Sequence, residues 1–324
     1  MRSLWGGWLD LLKREETGEA LALWRICMGL VLIFALLLPL RAGAISVIWL
    51  PIEHGGYLKL EHSSWMMELL GGPTPGRVYG ALVIGLVAAV ALVVGIWSRI
   101  AAFIGLQAFL ALAWINPHTG GSYDVLISNA LWLLVLAKSD ATWSLQARLR
   151  EGRWSSAALV SSWPRYLVIL QLVIMYTSTG WQKISVYWVP GGDFSALYYI
   201  MQQPTWQRGD LSWVAHVYPL TQLITAVVWF WETLGAPLLI GFYWARYRGE
   251  RAGRLGRWLL KVRFRAVFVL IGLPMHLVIA LCMEVGPFSW ASMAYYAALL
   301  HPDELKRLWV WLRPRDPALS PMDG

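Results

Sequence analysis

The chain has 324 residues, 58% of them hydrophobic and 14% charged, and a mean hydropathy of +0.52. A soluble domain carries about 25% charged residues, so a soluble globular fold is excluded and an all-α, polytopic membrane bundle is expected. The formal charge of +8 does not point to a nucleic-acid partner. The basic residues sit in the loops between apolar runs, where they set orientation and attract anionic lipid.

The 22 tryptophans exceed what a soluble core needs. They fit interfacial belts, where an apolar ring and a polar N–H are both satisfied. Cys27 and Cys282 lie inside apolar runs with no CxxC or metal spacing, so no disulfide framework, thiol redox centre or metal site is expected.

Taken in order, residues 1–19 read as an amphipathic helix lying on the membrane surface. Gly6 and Gly7 leave a frayed terminus as the other reading. The first apolar run starts near Ala20 and is too long for the apolar core of a secretory signal. Residues 20–302 read as one transmembrane domain, and 303–324 as a cytoplasmic tail. A span needs about 20 mostly apolar residues, and about eight can be drawn. They are Ala20–Leu38, Val78–Trp97, Ile100–Ile115, a short Tyr123–Ala137, Tyr166–Gln182, a long Ala215–Tyr243, Arg265–Val285 and a short Phe288–Leu300. Pro219 and Pro237 mark ends or kinks in the long one.

Charge fixes the orientation. With the N-terminus inside, Arg41, Lys59, Arg77, Lys183 and Arg208 fall outside. The other basic residues, apart from Arg25 within the first span, fall on the cytoplasmic side. That split puts both termini in the cytoplasm. The two long outer loops, 41–77 and 185–213, are rich in aromatic residues, as loops packed on a bundle or dipping into the interface would be.

Ionisable groups inside a span are costly and need a reason. Lys183 follows the span Tyr166–Gln182, which is almost entirely apolar as far as Met175, and sits amid Trp181, Ile184, Tyr187 and Trp188, with no acid after it until Asp193. A desolvated amine there would be a neutral base; the structural alternative is a lysine snorkelling to the interface. Glu232 and His276 lie at similar depths in successive spans, so a hydrogen bond between them is expected. Arg25 reads as a snorkelling or acid-paired side chain. Glu53, His54, Glu61 and His62 cluster in one loop without known ligand spacing.

The pattern Tyr176-x3-Gly180-x2-Lys183-Ile184-x3-Trp188-x2-Gly191 resembles the membrane part of vitamin K-dependent γ-glutamyl carboxylases and the broader bacterial HTTM (horizontally transferred transmembrane domain) family. Arg25-Ile26-x2-Gly29, Ser122-Tyr123, Trp143-Ser144-Leu145, Glu232, His276 and Gly286–Phe288 follow in the same order. The resemblance spans about Glu19–Pro302. It implies a multi-pass protein of the bacterial inner membrane in which Lys183 is the general base that deprotonates reduced vitamin K, a menaquinol-like cofactor, at the outer face. Glu232, His276, Tyr123 and Trp188 would support it. Gly121 stands where family carboxylases carry a histidine, with His118 three residues earlier. The sequence ends at Gly324, short of the soluble domain that handles peptide in animal carboxylases. Quinol chemistry is therefore expected rather than glutamate carboxylation. The alternative is a non-catalytic membrane protein, a transporter or a partner subunit of a membrane complex.

Overall fold

A computed structural model describes residues 4–57, 59 and 63–312. Glu61 and His62 of the loop cluster, and residues 313–324 of the tail, lie outside the described residues. Among the described residues no group of His, Cys, Asp or Glu could hold a metal ion.

The helix expected at the start forms as α1 (Leu4–Leu12). The principal helices are then α2 (Glu19–Arg41), α3 (Pro75–Val94), α4 (Ser98–Ala113), α5 (Ser122–Leu136) and α6 (Trp163–Gln182). They continue with α7 (Tyr218–Phe230), a π turn (Trp231–Gly235), α8 (Ala236–Arg248), α9 (Arg254–Lys261), α10 (Phe264–Cys282), α11 (Phe288–Tyr295) and α12 (Pro302–Leu312). Helix is 72% of the structure, so the all-α reading holds and the chain is a helical membrane protein.

Among the described residues four helical stretches are long and apolar enough to cross a membrane: Glu19–Arg41, Pro75–Val94, Ser212–Arg251 and Phe264–Cys282. Ser98–Ala113 and Ser122–Leu136 are apolar but shorter. α6 has 20 residues, yet it carries Arg165 and the polar run Thr177–Gln182. Its inner face is apolar all the same, burying Val168, Ile169, Leu172 and Val173.

α2 is the central helix. It packs on α3, α5, α11 and the 3-10 turn Tyr296–Leu299. Buried Trp24, Met28, Leu32 and Leu36 recur at helical spacing along its inward side and belong to the one large core. Arg25 neither snorkels nor meets an acid in hydrogen-bond contact. It is fully buried and donates to the carbonyls of Leu92 (2.5 Å), Trp143 (2.7 Å) and Ser139 (3.1 Å). Those oxygens come from the C-terminal end of α3 and from the loop after α5, so one side chain fills the unmet acceptors of that corner.

Two short strands, β1 (Glu15–Thr17) and β2 (Leu159–Ser161), pair antiparallel just before α2 and α6. Arg165 Nε donates to Glu16 (2.6 Å) and Ser162 Oγ to the Leu11 carbonyl (3.0 Å). Arg165 also reaches the Ala298 carbonyl (3.4 Å), and Arg265 bonds Glu304 (2.5 Å). The starts of α2, α6, α10 and α12 therefore gather at one end of the bundle. At the other end the short helix Ala196–Met201 and the 3-10 segment Ser212–Val217 form a separate small cluster around Met201, Leu211 and Val214. Part of the aromatic-rich segment 185–213 thus packs through Met201 and Leu211, while Tyr187, Tyr199, Trp206 and Trp213 stay exposed.

Candidate functional site

The site begins on one face of α6. Tyr176, Gly180 and Lys183 fall at i, i+4 and i+7, so they share a side of the helix and line up along about 10 Å of its axis. Lys183 is the C-cap residue, and the indole N–H of Trp229 donates to its carbonyl (3.2 Å). That satisfies one acceptor that a helix end leaves open.

Opposite this face the long helix changes from α to π at Trp231–Gly235. Pro237 follows at once. A proline ring clashes with the carbonyl of the preceding turn, and a wider π turn relieves that clash. Thr233 Oγ1 donates to the Trp229 carbonyl within this stretch (2.7 Å). π turns cluster at functional sites. This one carries Trp231 and Glu232 inward, both 5% exposed.

Gly180 lets the two elements touch. A Cβ at that position would lie 2.9 Å from the Glu232 Cβ and 3.0 Å from a Thr233 methyl. With the backbones this close, Lys183 Nζ reaches Glu232 Oε2 in a direct hydrogen-bonded ion pair. The ammonium also sits 4.4 Å from the centre of the Trp188 ring. Asp193, the acid nearest along the chain, is engaged elsewhere. Its carboxylate accepts from Ser195 Oγ (2.7 Å) and N (3.1 Å), which hold it below its usual value.

Two expectations are corrected here. Lys183 is not an amine without a carboxylate beside it, because its partner comes from a distant helix rather than from the local sequence. Nor does Glu232 bond His276. The carboxylate is directed to Lys183, and His276 Nε2 meets Tyr176 Oη at 2.6 Å. Tyr176 Oη also bonds Tyr296 Oη at 3.0 Å. His276 Nδ1 is buried without a hydrogen-bond partner among the described residues.

Aromatic rings wall this second cluster. Trp231 lies edge-on to Tyr176 (4.4 Å between centres) and stacked on Phe268 (4.6 Å), and its N–H donates to the Phe268 carbonyl (3.2 Å). Gly272, one turn before His276, makes room. A Cβ there would sit 1.8 Å from Tyr296 Oη and 2.7 Å from Trp231. Trp231, Phe268, Gly272 and Tyr296 gave no signal in the sequence, since each is an ordinary apolar or small residue in an apolar run. The Tyr176–Gly180–Lys183 face could have been read as a line.

The other expected residues are placed as follows. Trp188 joins the site through the Lys183 contact and lines a recess of about 330 Å³ with Tyr187, Ala196, Tyr199, Ile200 and Gln203. Lys183 does not line that recess; the Trp188 ring stands at both. Tyr123 is not brought to the cluster by any contact of its hydroxyl, which donates to the Thr119 carbonyl (3.2 Å). His118 is exposed on a 3-10 turn beside it.

A half-buried lysine paired with a buried glutamate, backed by a tyrosine–histidine–tyrosine cluster within a helical membrane bundle, defines a membrane protein with a polar site assembled from three helices and a turn. The chain belongs to the HTTM family: the HTTM domain matches residues 13–231. That match begins just after α1, runs to the first residue of the π turn and ends one residue before Glu232. No curated protein and no solved structure matches the chain.

Proposed function

We propose that this HTTM protein is a membrane enzyme whose Lys183–Glu232 pair takes a proton from an acidic hydroxyl on an apolar ring compound, of the reduced vitamin K type, presented at the outer face. The observation that carries this reading is the contact between Lys183 and Glu232 at a π turn. The buried carboxylate can accept the ammonium proton within the pair and leave a neutral amine. The amine then takes the hydroxyl proton, and the pair holds both protons until water or a neighbour removes one.

The residues present fit such a cofactor in one respect. The recess beside Trp188 has aromatic walls in Tyr187, Trp188 and Tyr199, which suit a flat ring. When bound, the quinol would supply the acidic hydroxyl and the reducing electrons. Tyr187, Trp188 and Tyr199 would set the ring's plane, and Trp188, which borders both the recess and the ammonium, would hold the ring beside Lys183.

The eight-span arrangement with both termini cytoplasmic, in a bacterial inner membrane, is part of this proposal. Parity supports it. β1 precedes α2 and β2 precedes α6, and the two strands are paired, so an even number of crossings lies between them. Arg165 at the start of α6 reaches Ala298, so an even number again separates α6 from the end of α11.

Reduced-quinone-dependent oxygen uptake by the purified protein tests the enzyme reading. Lys183→Arg keeps the charge but cannot act as a base near neutral pH, so it should lose activity at unchanged fold. Equal uptake by both forms would remove Lys183 from the mechanism. A non-catalytic transporter is the second reading, favoured by the interruption of the Ser212–Arg251 helix at mid-length. Absence of uptake in either form, with quinol verified present, would select it.

A further inference from the structure

Two of the helical stretches long and apolar enough to cross a membrane, Ser212–Arg251 and Phe264–Cys282, follow one another in the chain. The twelve positions between them hold α9, so this helix must lie at the membrane face, at the end of the bundle opposite the lysine site. α9 turns back along α8. Leu259 is fully buried against Gly241, and Leu260 is half-buried.

The rest of its surface is unpartnered. Leu255, Trp258 and Val262 recur at i, i+3 and i+7 and are 57%, 51% and 37% exposed. Arg254, Arg257 and Lys261 recur at the same spacing one position earlier, and all three are exposed. An apolar stripe thus runs beside a basic stripe on one short helix. Among the described residues none of Arg248, Arg251, Arg254, Lys261 and Arg263 forms an ion pair with a carboxylate, and Arg257 spends one nitrogen on the Ala252 carbonyl (2.7 Å). Glu250 is the only acid between Arg246 and Arg265.

α1 flanks the same region. Trp8 stacks on Trp244 of α8 at 5.2 Å, and the Arg14 guanidinium lies 4.6 Å over the Tyr247 ring. Trp5 is left 71% exposed. Two amphipathic helices therefore bracket the end of α8, each with an indole turned outward.

We infer that α9 is a binding site for anionic phospholipid. The phosphate is held by the Arg254–Arg257–Lys261 stripe, and the upper acyl chain lies along Leu255, Trp258 and Val262. Two features commit the site to lipid rather than to a soluble anion. The apolar stripe has the register of the basic one, and the helix sits where headgroup and acyl chain meet. Arginine forks suit phosphate oxygens, and basic residues at this depth gain from a negatively charged leaflet. A zwitterionic headgroup, whose phosphate is offset by its own ammonium, would gain less.

The test uses the full chain purified in a neutral detergent, with phosphatidylglycerol, phosphatidylcholine or glycerol phosphate added. Melting midpoint and retained lipid, by mass spectrometry of the intact protein, are the readouts. Phosphatidylglycerol should raise the midpoint and stay bound, and the other two should not. The triple variant Arg254→Gln, Arg257→Gln, Lys261→Gln should melt as the wild type does without lipid, because these side chains are exposed. It should lose the phosphatidylglycerol shift and the retained adduct. Leu255→Ser with Trp258→Ser should weaken retention at full positive charge. An equal shift with phosphatidylcholine, an equal shift with glycerol phosphate, or retention by the triple variant would each overturn the assignment. If the triple variant melts lower without lipid, the Leu255/Trp258 variant decides: unchanged retention there rejects the site.

Discussion

Tyr176 is the residue on which the inner half of the site turns. A phenol hydroxyl has one proton to donate and can accept as well, and here it faces both His276 Nε2 and Tyr296 Oη. Whichever way the protons are arranged, His276 keeps one ring nitrogen that the protein does not satisfy. Tyr176→Phe and His276→Ala should therefore couple in a double-mutant cycle on detergent melting, by about 0.6–1.7 kcal/mol as for other hydrogen bonds between membrane helices. Glu232→Gln and His276→Ala should instead be additive, because Glu232 bonds Lys183. Strong coupling of the second pair and none of the first would reverse the assignment of partners.

At the scale of elements, the site depends on how closely helices approach. Gly272 on α10 leaves space for the hydroxyl of Tyr296, which comes from the turn after α11. Gly272→Ala should cost about 1–3 kcal/mol, as overpacking does. Tyr296→Phe removes the atom nearest the new methyl, so the double variant should recover part of that loss in melting experiments. A double variant no more stable than Gly272→Ala alone would place the strain elsewhere, at Trp231. The same reasoning explains what the sequence made legible. Apolar runs, prolines and charge asymmetry located the helices to within a few residues, because those signals are local. The ends of α2, α3 and α6 carry Pro39, Pro75 and Pro164 near the expected limits. Partner choice was not legible. Lys183 and Glu232 are 49 positions apart and Tyr176 and His276 are 100 apart, and nothing in a linear string says which of two buried polar groups at one depth a third will reach. Depth alone suggested Glu232 with His276. The actual pairing follows from the π turn rotating Glu232 toward α6 and from Gly180 allowing the approach.

For the whole molecule, the two parity arguments and the charge distribution make one prediction about orientation. Reporter fusions after Ser155 and after Leu255 should read cytoplasmic, and one after Ile200 external. An external signal at Leu255 together with a cytoplasmic one at Ser155 would contradict the contacts of Arg165 with Ala298 and of Arg265 with Leu299, which hold the starts of α6 and α10 at one end of the bundle. It would also move the proposed lipid site to the opposite leaflet.

The β1–β2 pair also constrains the order of biogenesis. Thr17 and its neighbours are made first, but their partner strand does not exist until Leu159–Ser161 emerge. Glu16 likewise waits 149 positions for Arg165. During that interval α2 to α5 must insert with the N-terminal segment undocked and a carboxylate unpaired at the membrane face. The arrival of the α6 leader closes the first half of the molecule like a clasp, before Glu232 has been translated. A ribosome-stalled chain ending near Ser155 would thus carry its own beginning as an exposed handle, and a chain long enough for Arg165 to have left the ribosome would not.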